Sequence, residues 1–458
     1  MPTPQLAGEN KMGVMPVGRL LANMALPMVV SMLVQALYNI VDSYYVSKIS
    51  ENAMTAVSMA FPIQNLMIGC STGIGVGVNS LLSKSLGSRD FQRANRAAGN
   101  GLILSGCFCL LFVLFGAFGS EFFFRTQTDV AEIANGGTQY IRICCLFSFG
   151  IFGEILFERL LQSTGRTMLT MIAQGAGAIC NIVLDPVFIF GVQPLGIPAM
   201  GVAGAAVATV LGQIVGFLLA VVLHLRKNTE VKFSRDTFRL YAHVAGPILT
   251  VGIPSMIMVG IGSVMNYTLN QILNGFSSTA VAVFGGYFKL QSFIFMPVFG
   301  LNNALIPIVA YNFGAKKPER FKKAIALACI CAFSYMLLGL LAFQLLPETL
   351  LQIFHPTQHF LEVGCQALRT ISYAFLLAGF GVVLSSVFQA FGNGLYSTIV
   401  SMARQLLVLL PAAYLLSLTG RLEMVWWAFP IAEIVSFAVS LLLLLRLYKR
   451  TIQPAMEA

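Results

Sequence analysis

The sequence contains few charged residues. Only 10% of its 458 residues are Asp, Glu, Lys or Arg, whereas a soluble domain contains about 25%. Acidic residues are the scarcest charged class, with 18 against 28 basic residues, and hydrophobic residues make up 57% of the chain. The mean hydropathy is +0.81. This composition excludes a soluble globular protein and indicates an integral membrane protein.

Other absences narrow the function. No phosphate-binding GxxxxGK[ST] motif occurs, which excludes ATP as the driver, and no cluster of catalytic groups indicates an enzyme. The nine cysteines lie almost wholly in apolar runs, and we interpret them as small apolar helix residues. Cys107 and Cys109 have no His or acidic partner nearby, so we predict no metal site and no cofactor. The basic residues are dispersed without aromatic platforms, which argues against nucleic-acid binding.

Twelve apolar runs dominate the chain, and each is long enough to cross a hydrocarbon core of about 30 Å as an α-helix. We therefore predict an all-α integral membrane protein with 12 transmembrane helices. The predicted spans are 20–46, 53–82, 97–119, 134–160, 167–191, 197–225, 244–274, 279–311, 322–346, 361–390, 396–418 and 424–448.

The basic residues predict how the helices are oriented. Most of them fall in the loops after even-numbered spans, and more flank the first and last spans, whereas the opposite side has only Lys48, Arg125 and Arg421. Because basic loops stay in the cytoplasm, both termini are predicted to be cytoplasmic.

An internal repeat organises the chain more firmly than any motif. A shift of 227 residues, without a gap, aligns ten identical pairs. Each half contains six spans, an even number, so the halves enter the membrane in the same orientation, and a pseudo-two-fold axis along the membrane normal relates the two six-helix bundles. The predicted parts are a cytoplasmic leader 1–19, an N-terminal lobe 20–225, a cytoplasmic connector 226–243, a C-terminal lobe 244–448 and a cytoplasmic tail 449–458. The aligned residues are Pro27/Pro254, Asn39/Asn266, Phe61/Phe288, Gln64/Gln291, Gly73/Gly300, Gly87/Gly314, Arg93/Arg320, Arg142/Arg369, Gln162/Gln389 and Gly165/Gly392.

The first span contains a polar face that ends at an acid. On an α-helix, Ser31, Gln35, Tyr38, Asn39 and Asp42 fall within an arc of roughly 80 to 100°. A charged residue near the bilayer centre costs roughly 2.5 to 3.5 kcal/mol on insertion scales, so an intramembrane acid is a candidate functional residue.

The repeat separates scaffold from chemistry, because the acids are not duplicated. Asp42 aligns with Leu269 and Asp185 with Ala412. The ionisable groups of the membrane are therefore concentrated in the N-terminal lobe, and the C-terminal lobe offers Glu433 as its only membrane acid.

Asn181 and Asp185 are four residues apart and share a face of the fifth span, where they can meet Asp42. Pro186 leaves the carbonyl of Ile182 free to bind water or a cation. Two carboxylates in a dry site do not both ionise easily, so the pair can load a proton or a small cation such as Na⁺. The alternative is that both acids only hydrogen-bond neighbouring helices.

Further candidates are polar residues on neighbouring spans. Glu154 and Glu158 are four residues apart, and Glu158 fits either an ion pathway or a structural ion pair. Tyr140 is placed to bond across the cavity or to anchor the helix at the interface. We predict that the substrate cavity is lined by Gln35, Tyr38, Asn39 and Gln64 in the first half and by Tyr267, Asn270, Gln291 and Asn302 in the second, with interhelical packing as the alternative for the latter set.

The chain resembles the multidrug and toxic compound extrusion (MATE) transporters from the first span to the last. The resemblance depends on Pro27 with the polar face ending at Asp42, on LGSRDFQRA and FGAKKPERFKKA after spans two and eight, on LLQSTGRT and FQAFGNG after spans four and ten, and on NIVLD in span five. It implies V-shaped access and export of organic, often cationic, drugs or toxins by antiport with H⁺ or Na⁺.

The resemblance also implies residue roles. Asp42, Asn181 and Asp185, with Tyr140, would couple the ion, and Pro27 would be the hinge of the first helix. One branch of the family has acids in helices seven and ten, which this sequence lacks, so the resemblance favours the bacterial branch coupled through the N-terminal lobe. A monomer in the bacterial plasma membrane that confers antibiotic resistance is expected.

One alternative is a flippase for lipids or lipid-linked oligosaccharides of the same superfamily. Such a protein would need a more cationic central cavity, for which the sequence offers Lys289 and Arg404.

Overall fold

The computed structural model describes residues 9–192, 194, 196–354 and 357–457, and these are almost entirely α-helical. Ten helices are long and apolar enough to cross a membrane, and the number is twelve when each of two bent helix pairs is counted as one span. This confirms the predicted all-α membrane fold. The spans of the first half are α1 (Val17–Ser47), α2 (Glu51–Gly87), α3 (Phe91–Phe118), α4 (Ala131–Leu146 and Phe149–Ser163), α5 (Thr167–Phe190) and α6 (Val202–Lys227).

The second half repeats this order. Its spans are α7 (Ala242–Asn274), α8 (Ser278–Gly314), α9 (Pro318–Leu345), α10 (Gln358–Ser372 and Phe375–Ala390), α11 (Gly394–Ser417) and α12 (Leu422–Ala455). Wider π-helical turns interrupt α11 over Ala403–Leu409 and α12 over Tyr448–Ile452. Short helices outside the spans are Lys11–Val14, Ser120–Arg125, Arg235–Phe238 and Pro347–Gln352.

Local backbone geometry repeats with the same 227-residue offset as the sequence. Ser50 and Ser277 both have a φ of −168° and cap the N-termini of α2 and α8 by accepting a backbone N–H. Arg89 and Lys316 both adopt a positive φ, of 60° and 53°. The fourth and tenth spans, predicted as single runs, are bent by 47° and 51°.

Helix packing follows the same symmetry. In the first half α1 packs on α5, α2 on α4 and α5 on α6, and in the second half α7 packs on α11, α8 on α10 and α11 on α12. Between the halves, α1 packs on α8, α7 on α2 and α2 on α8. Exchanging the two halves converts the α1–α8 contact into the α7–α2 contact and leaves the α2–α8 contact unchanged. This is the pattern that a two-fold axis produces.

Glycines allow the two halves to pack closely at one end of the molecule, where α2 and α8 lead into basic loops. A Cβ on Gly87 would lie 1.9 Å from the carbonyl oxygen of Tyr311, and a Cβ on Gly314, its repeat partner, would lie 2.1 Å from that of Lys84. Residues 67–87 of α2 are nearly all buried. Tyr44 and Tyr267, near the other ends of α1 and α7, are exposed. The halves are therefore joined at the basic-loop end.

The segment before α1 bridges the two halves at this same end. Asn10 Nδ2 donates to both oxygens of the Glu230 carboxylate, at 2.7 and 2.9 Å. Glu230 lies in the connector that follows the first half. Met12 is fully buried, and its carbonyl accepts from Asn312 Nδ2 and Arg320 Nη2, both at 3.0 Å, in the second half. The leader, predicted as a separate cytoplasmic segment, is thus packed into the seam over its described residues.

We expect Gly87→Ala and Gly314→Ala to lower the thermal stability of the protein, because the added methyl groups force two helix backbones apart. Overpacking of this kind costs about 1–3 kcal/mol. Gly106→Ala on α3 is the matched control, since a Cβ there meets no atom within 4 Å. Thermal unfolding of the purified protein measures the effect, and equal melting temperatures for Gly87→Ala and Gly106→Ala would contradict it.

Candidate functional site

A small cavity lies inside the first half, between α1, α2, α4, α5 and α6. Its volume is about 70 Å³, which is enough for a few water molecules. The lining contains far more polar groups than a membrane interior normally holds. The polar lining residues are Gln35, Tyr38, Glu154, Glu158, Gln174, Asn181, Thr209 and Gln213.

A hydrogen-bonded chain leads from this cavity to a buried acid. Asn181 Nδ2 lies 3.4 Å from Thr209 Oγ1 on α6 and 3.5 Å from Oδ1 of Asp185 on α5. Asp185 is completely buried. Asp42 lies on α1, which packs on α5. The three residues that the resemblance assigns to ion coupling therefore lie on two adjacent helices.

Several acceptor oxygens around this cavity lack a donor. Within the described part of the chain, no hydrogen-bond partner exists for Asp42 Oδ1, Asn181 Oδ1, Asp185 Oδ2, Glu158 Oε1 or Gln174 Oε1, and all five atoms are buried. Leaving such an atom unsatisfied costs about 1–3 kcal/mol, and more when it is charged. A set of acceptors without donors is suited to taking up protons, water or a small cation.

No group of three or more His, Cys, Asp and Glu side chains that could hold a metal ion was found among the described residues. Asp42 and Asp185 are two side chains of these types. Two carboxylates and the Asn181 amide nevertheless supply the oxygen ligands that a hard monovalent cation accepts, with water completing its shell.

Glu154 enters the same cavity because two glycines make room for it. A Cβ on Gly216 of α6 would lie 2.1 Å from Glu154 Oε1, and one on Gly177 of α5 would lie 3.2 Å from it. Glu154 and Glu158, one helical turn apart, both line the cavity. Glu158 is in no ion pair within the described chain.

The other predicted residues are distributed over the molecule. Tyr140 is buried and its hydroxyl accepts from Gln64 Nε2 at 3.0 Å, outside the small cavity. Pro27 is buried within the uninterrupted α1. Asn39 and Tyr267 are exposed, and Asn270 has a buried side-chain carbonyl oxygen without a partner in the described chain. Gln291 lines a cavity of the second half, and Asn302 lines an adjoining cavity between the two halves.

Sequence reasoning missed Gln174 and Thr209, and it gave Glu154 too little weight. Gln174 lies seven residues before Asn181 on α5, which places the two side chains on one helical face and was a usable signal. Thr209 carried no such signal, because only the packing of α6 on α5 brings it to Asn181.

Matched helical halves around a buried, ionisable cavity define a membrane transporter. The MatE family model matches residues 27–187 and again 254–415, more than half of the chain, so the chain belongs to the MatE family. The two matches begin at Pro27 and Pro254, which are repeat partners. Because members of this family are transporters, the protein is a transporter and not an enzyme.

Individual relatives agree with this assignment. The chain is 24% identical over 431 residues, 93% of each chain, to "Multidrug export protein MepA" of Staphylococcus saprophyticus. It is 26% identical over 435 residues, 92% of each chain, to the "FAD transporter" of Shewanella oneidensis. A solved structure of the outward-facing conformation of a multidrug resistance MATE family transporter matches with a TM-score of 0.90 and 26% identity, covering 99% of this chain and all of the other.

We expect Gly216→Ala to slow transport of a fluorescent dye by reconstituted protein. Its methyl group would occupy the position of the Glu154 carboxyl, and the flexible side chain would leave the cavity while the backbone stays in place. Gly175→Ala on α5 is the control, since a Cβ there meets nothing within 4 Å. Dye transport measured in proteoliposomes tests this, and equal rates for the two variants would show that the position of Glu154 does not matter.

Proposed function

We propose that the protein exports drugs and toxins from the cell by antiport with H⁺ or Na⁺, with the ion taken up in the first half. The observation that carries this proposal is the set of donorless acceptor oxygens at Asp42, Glu158, Gln174, Asn181 and Asp185. The staphylococcal relative, which matches along nearly the whole chain, is a multidrug export protein.

The exchange follows from the cost of burying charge. With Asp42 and Asp185 ionised, closing the cavity would leave uncompensated carboxylates in a dry interior, which is costly. A proton or Na⁺ removes this cost and allows the first half to close. An organic cation competes for the same negative charge, so uptake of the ion displaces the drug. The conformational change that carries the ion inward is then the reverse of the one that carries the drug outward.

The driving force is sufficient for efflux. When the drug is uncharged, one elementary charge that moves inward through 100 mV supplies about 2.3 kcal/mol, which corresponds to roughly a fiftyfold drug gradient at about 1.4 kcal/mol per tenfold. Any concentration gradient of the ion adds to this value. A one-for-one exchange against a monovalent organic cation moves no net charge, so the concentration gradient of the ion, or a second ion, drives export in that case.

The basic loops support placement in the bacterial plasma membrane with both termini in the cytoplasm. On this placement the joined ends of the halves face the cytoplasm, and the separated ends face outward. The proposal includes a functional monomer that needs no cofactor and whose partners are small molecules and the bilayer. Antibiotic resistance in a susceptible host is the expected phenotype.

We expect Asp42→Asn and Asp185→Asn to abolish ion-driven efflux, because an amide neither takes up a proton nor attracts a cation. Asp129→Asn, which changes an exposed acid before α4, should transport like wild type. The measurement is dye efflux from proteoliposomes under an imposed ion gradient. Wild-type efflux by Asp42→Asn would exclude this residue from coupling.

Imposing the gradients separately identifies the ion. A carboxylate takes up a proton without further ligands, whereas a cation needs several oxygen ligands at once, so we expect a proton gradient alone to drive efflux and a Na⁺ gradient alone, at constant pH and voltage, to drive it less. Efflux that responds only to Na⁺ would assign the acceptor oxygens to a Na⁺ site.

A further inference from the structure

A second cavity, of about 230 Å³, lies between the two halves and is lined by two arginines. Arg159 reaches it from α4 and Arg404 from α11, with Asn302 and Asn303 of α8 beside them. Its remaining polar lining consists of Ser, Thr and Gln side chains, and no Asp or Glu is found among the residues that line it in the described chain. The cavity therefore presents hydrogen-bond donors and positive charge.

Arg159 is a buried cation without a counter-ion. Only 7% of the residue is exposed, and no carboxylate of the described chain lies within ion-pair distance. Its Nη1 donates to the side-chain oxygens of Gln162 and Asn303, both at 2.9 Å, while its Nε has no partner. Glu158 precedes it in the chain but lines the cavity of the first half, because successive helical residues point about 100° apart.

An unpaired charge in a protein interior costs several kcal/mol. The neutral amide oxygens of Gln162 and Asn303 offset only part of this cost. What Arg159 lacks is an anion, and the space in front of it is large enough for a carboxylate or a phosphate with bound water.

A third cavity, of about 270 Å³, adjoins this one and is aromatic. Phe299, Val382 and Arg404 line both cavities, so the two spaces meet at Arg404. Phe284, Phe288, Phe295 and Phe375 are among the aromatic residues that line the third cavity. Flat apolar side chains of this kind favour an aromatic ring.

Arg404 is held by one acid but retains free donors. Its Nη1 donates to Glu433 Oε1 at 3.4 Å, which is a long contact, and a guanidinium carries five N–H donors. Glu433 orients Arg404 at the junction of the cavities without using up its hydrogen-bonding capacity. Lys289, the other membrane cation of this half, is exposed and is not found in the lining of either cavity.

We propose that these two cavities form one binding site for an aromatic anion, with its ring among the phenylalanines and its carboxylate or phosphate between Arg159 and Arg404. This inference rests on the proposed export function and names a second substrate class for it, distinct from the organic cations that the acids of the first half attract. The protein thus has an acidic cavity within its first half and a basic cavity between its two halves.

Two dyes with one ring system test the charge preference. Fluorescein is an aromatic anion and rhodamine 6G an aromatic cation, and fluorescence anisotropy gives their affinities for the purified full-length protein without any ion gradient. We expect Arg159→Gln to weaken fluorescein binding tenfold or more and to leave rhodamine 6G binding within twofold. Arg142→Gln, on the other arm of α4 and 43% exposed at its side chain, should bind both dyes like wild type.

The Asn303→Asp variant distinguishes loss of the anion site from a general loss of structure. The substitution keeps the shape and the acceptor that Arg159 uses, and it supplies the missing counter-ion within the protein. We expect it to preserve or raise thermal stability and yet to weaken fluorescein binding tenfold or more. Fluorescein binding unchanged in both Asn303→Asp and Arg159→Gln would overturn the proposal, and so would an equal loss of both dyes.

A lipid headgroup is the other source of an anion, and competition separates the two. Phosphatidylglycerol added to the detergent solution carries a phosphate but no ring, so we expect it not to displace fluorescein at equal concentration. Displacement would assign the site to lipid and overturn the aromatic part of the proposal. Failure of ion coupling at Asp42 would leave these equilibrium affinities unchanged, so the two proposals fail independently.

Discussion

The structure depends on the cost of an unpaired polar group away from water. A lipid-embedded chain has to satisfy its polar groups internally, and this chain does so almost everywhere by helix formation. Exceptions in the described chain include the carboxylate and amide oxygens around the cavity of the first half and the guanidinium Nε of Arg159, which are buried without partners. Such groups are stable only if the molecule regularly exchanges something that pairs with them, which is the property that a transporter needs.

The scaffold and the chemistry follow different symmetries. Helix caps, positive-φ residues, bends and the close glycine contacts recur in both halves with a constant offset. Asp42, Asp185, Arg159 and Arg404 do not recur. The repeat thus preserves the surfaces through which the two halves pack. The charged groups that are not repeated are negative within the first half and positive between the two halves.

Sequence reasoning predicted most of the fold because lipid imposes a simple rule on helix length and hydropathy. It also selected Asp42, Asn181 and Asp185 as candidates, since an acid in an apolar run stands out and a spacing of four residues fixes a common face. It could not predict that Glu154 depends on Gly216, or that Arg159 points away from Glu158 into another cavity. These features arise from contacts between helices distant in the chain, which periodicity does not report. Asn39 and Tyr267 are exposed, and their place in the substrate cavity stays a prediction.

The short segment ahead of α1 connects the two halves at the basic-loop end. It bonds to the connector through Asn10 and to the ends of α8 and α9 through the Met12 carbonyl. Any rearrangement that parts α2 from α8 at this end has to break one of these sets of bonds and expose the buried Met12 side chain. The segment therefore stabilises the arrangement that is closed at this end, through residues that line none of the three cavities described above.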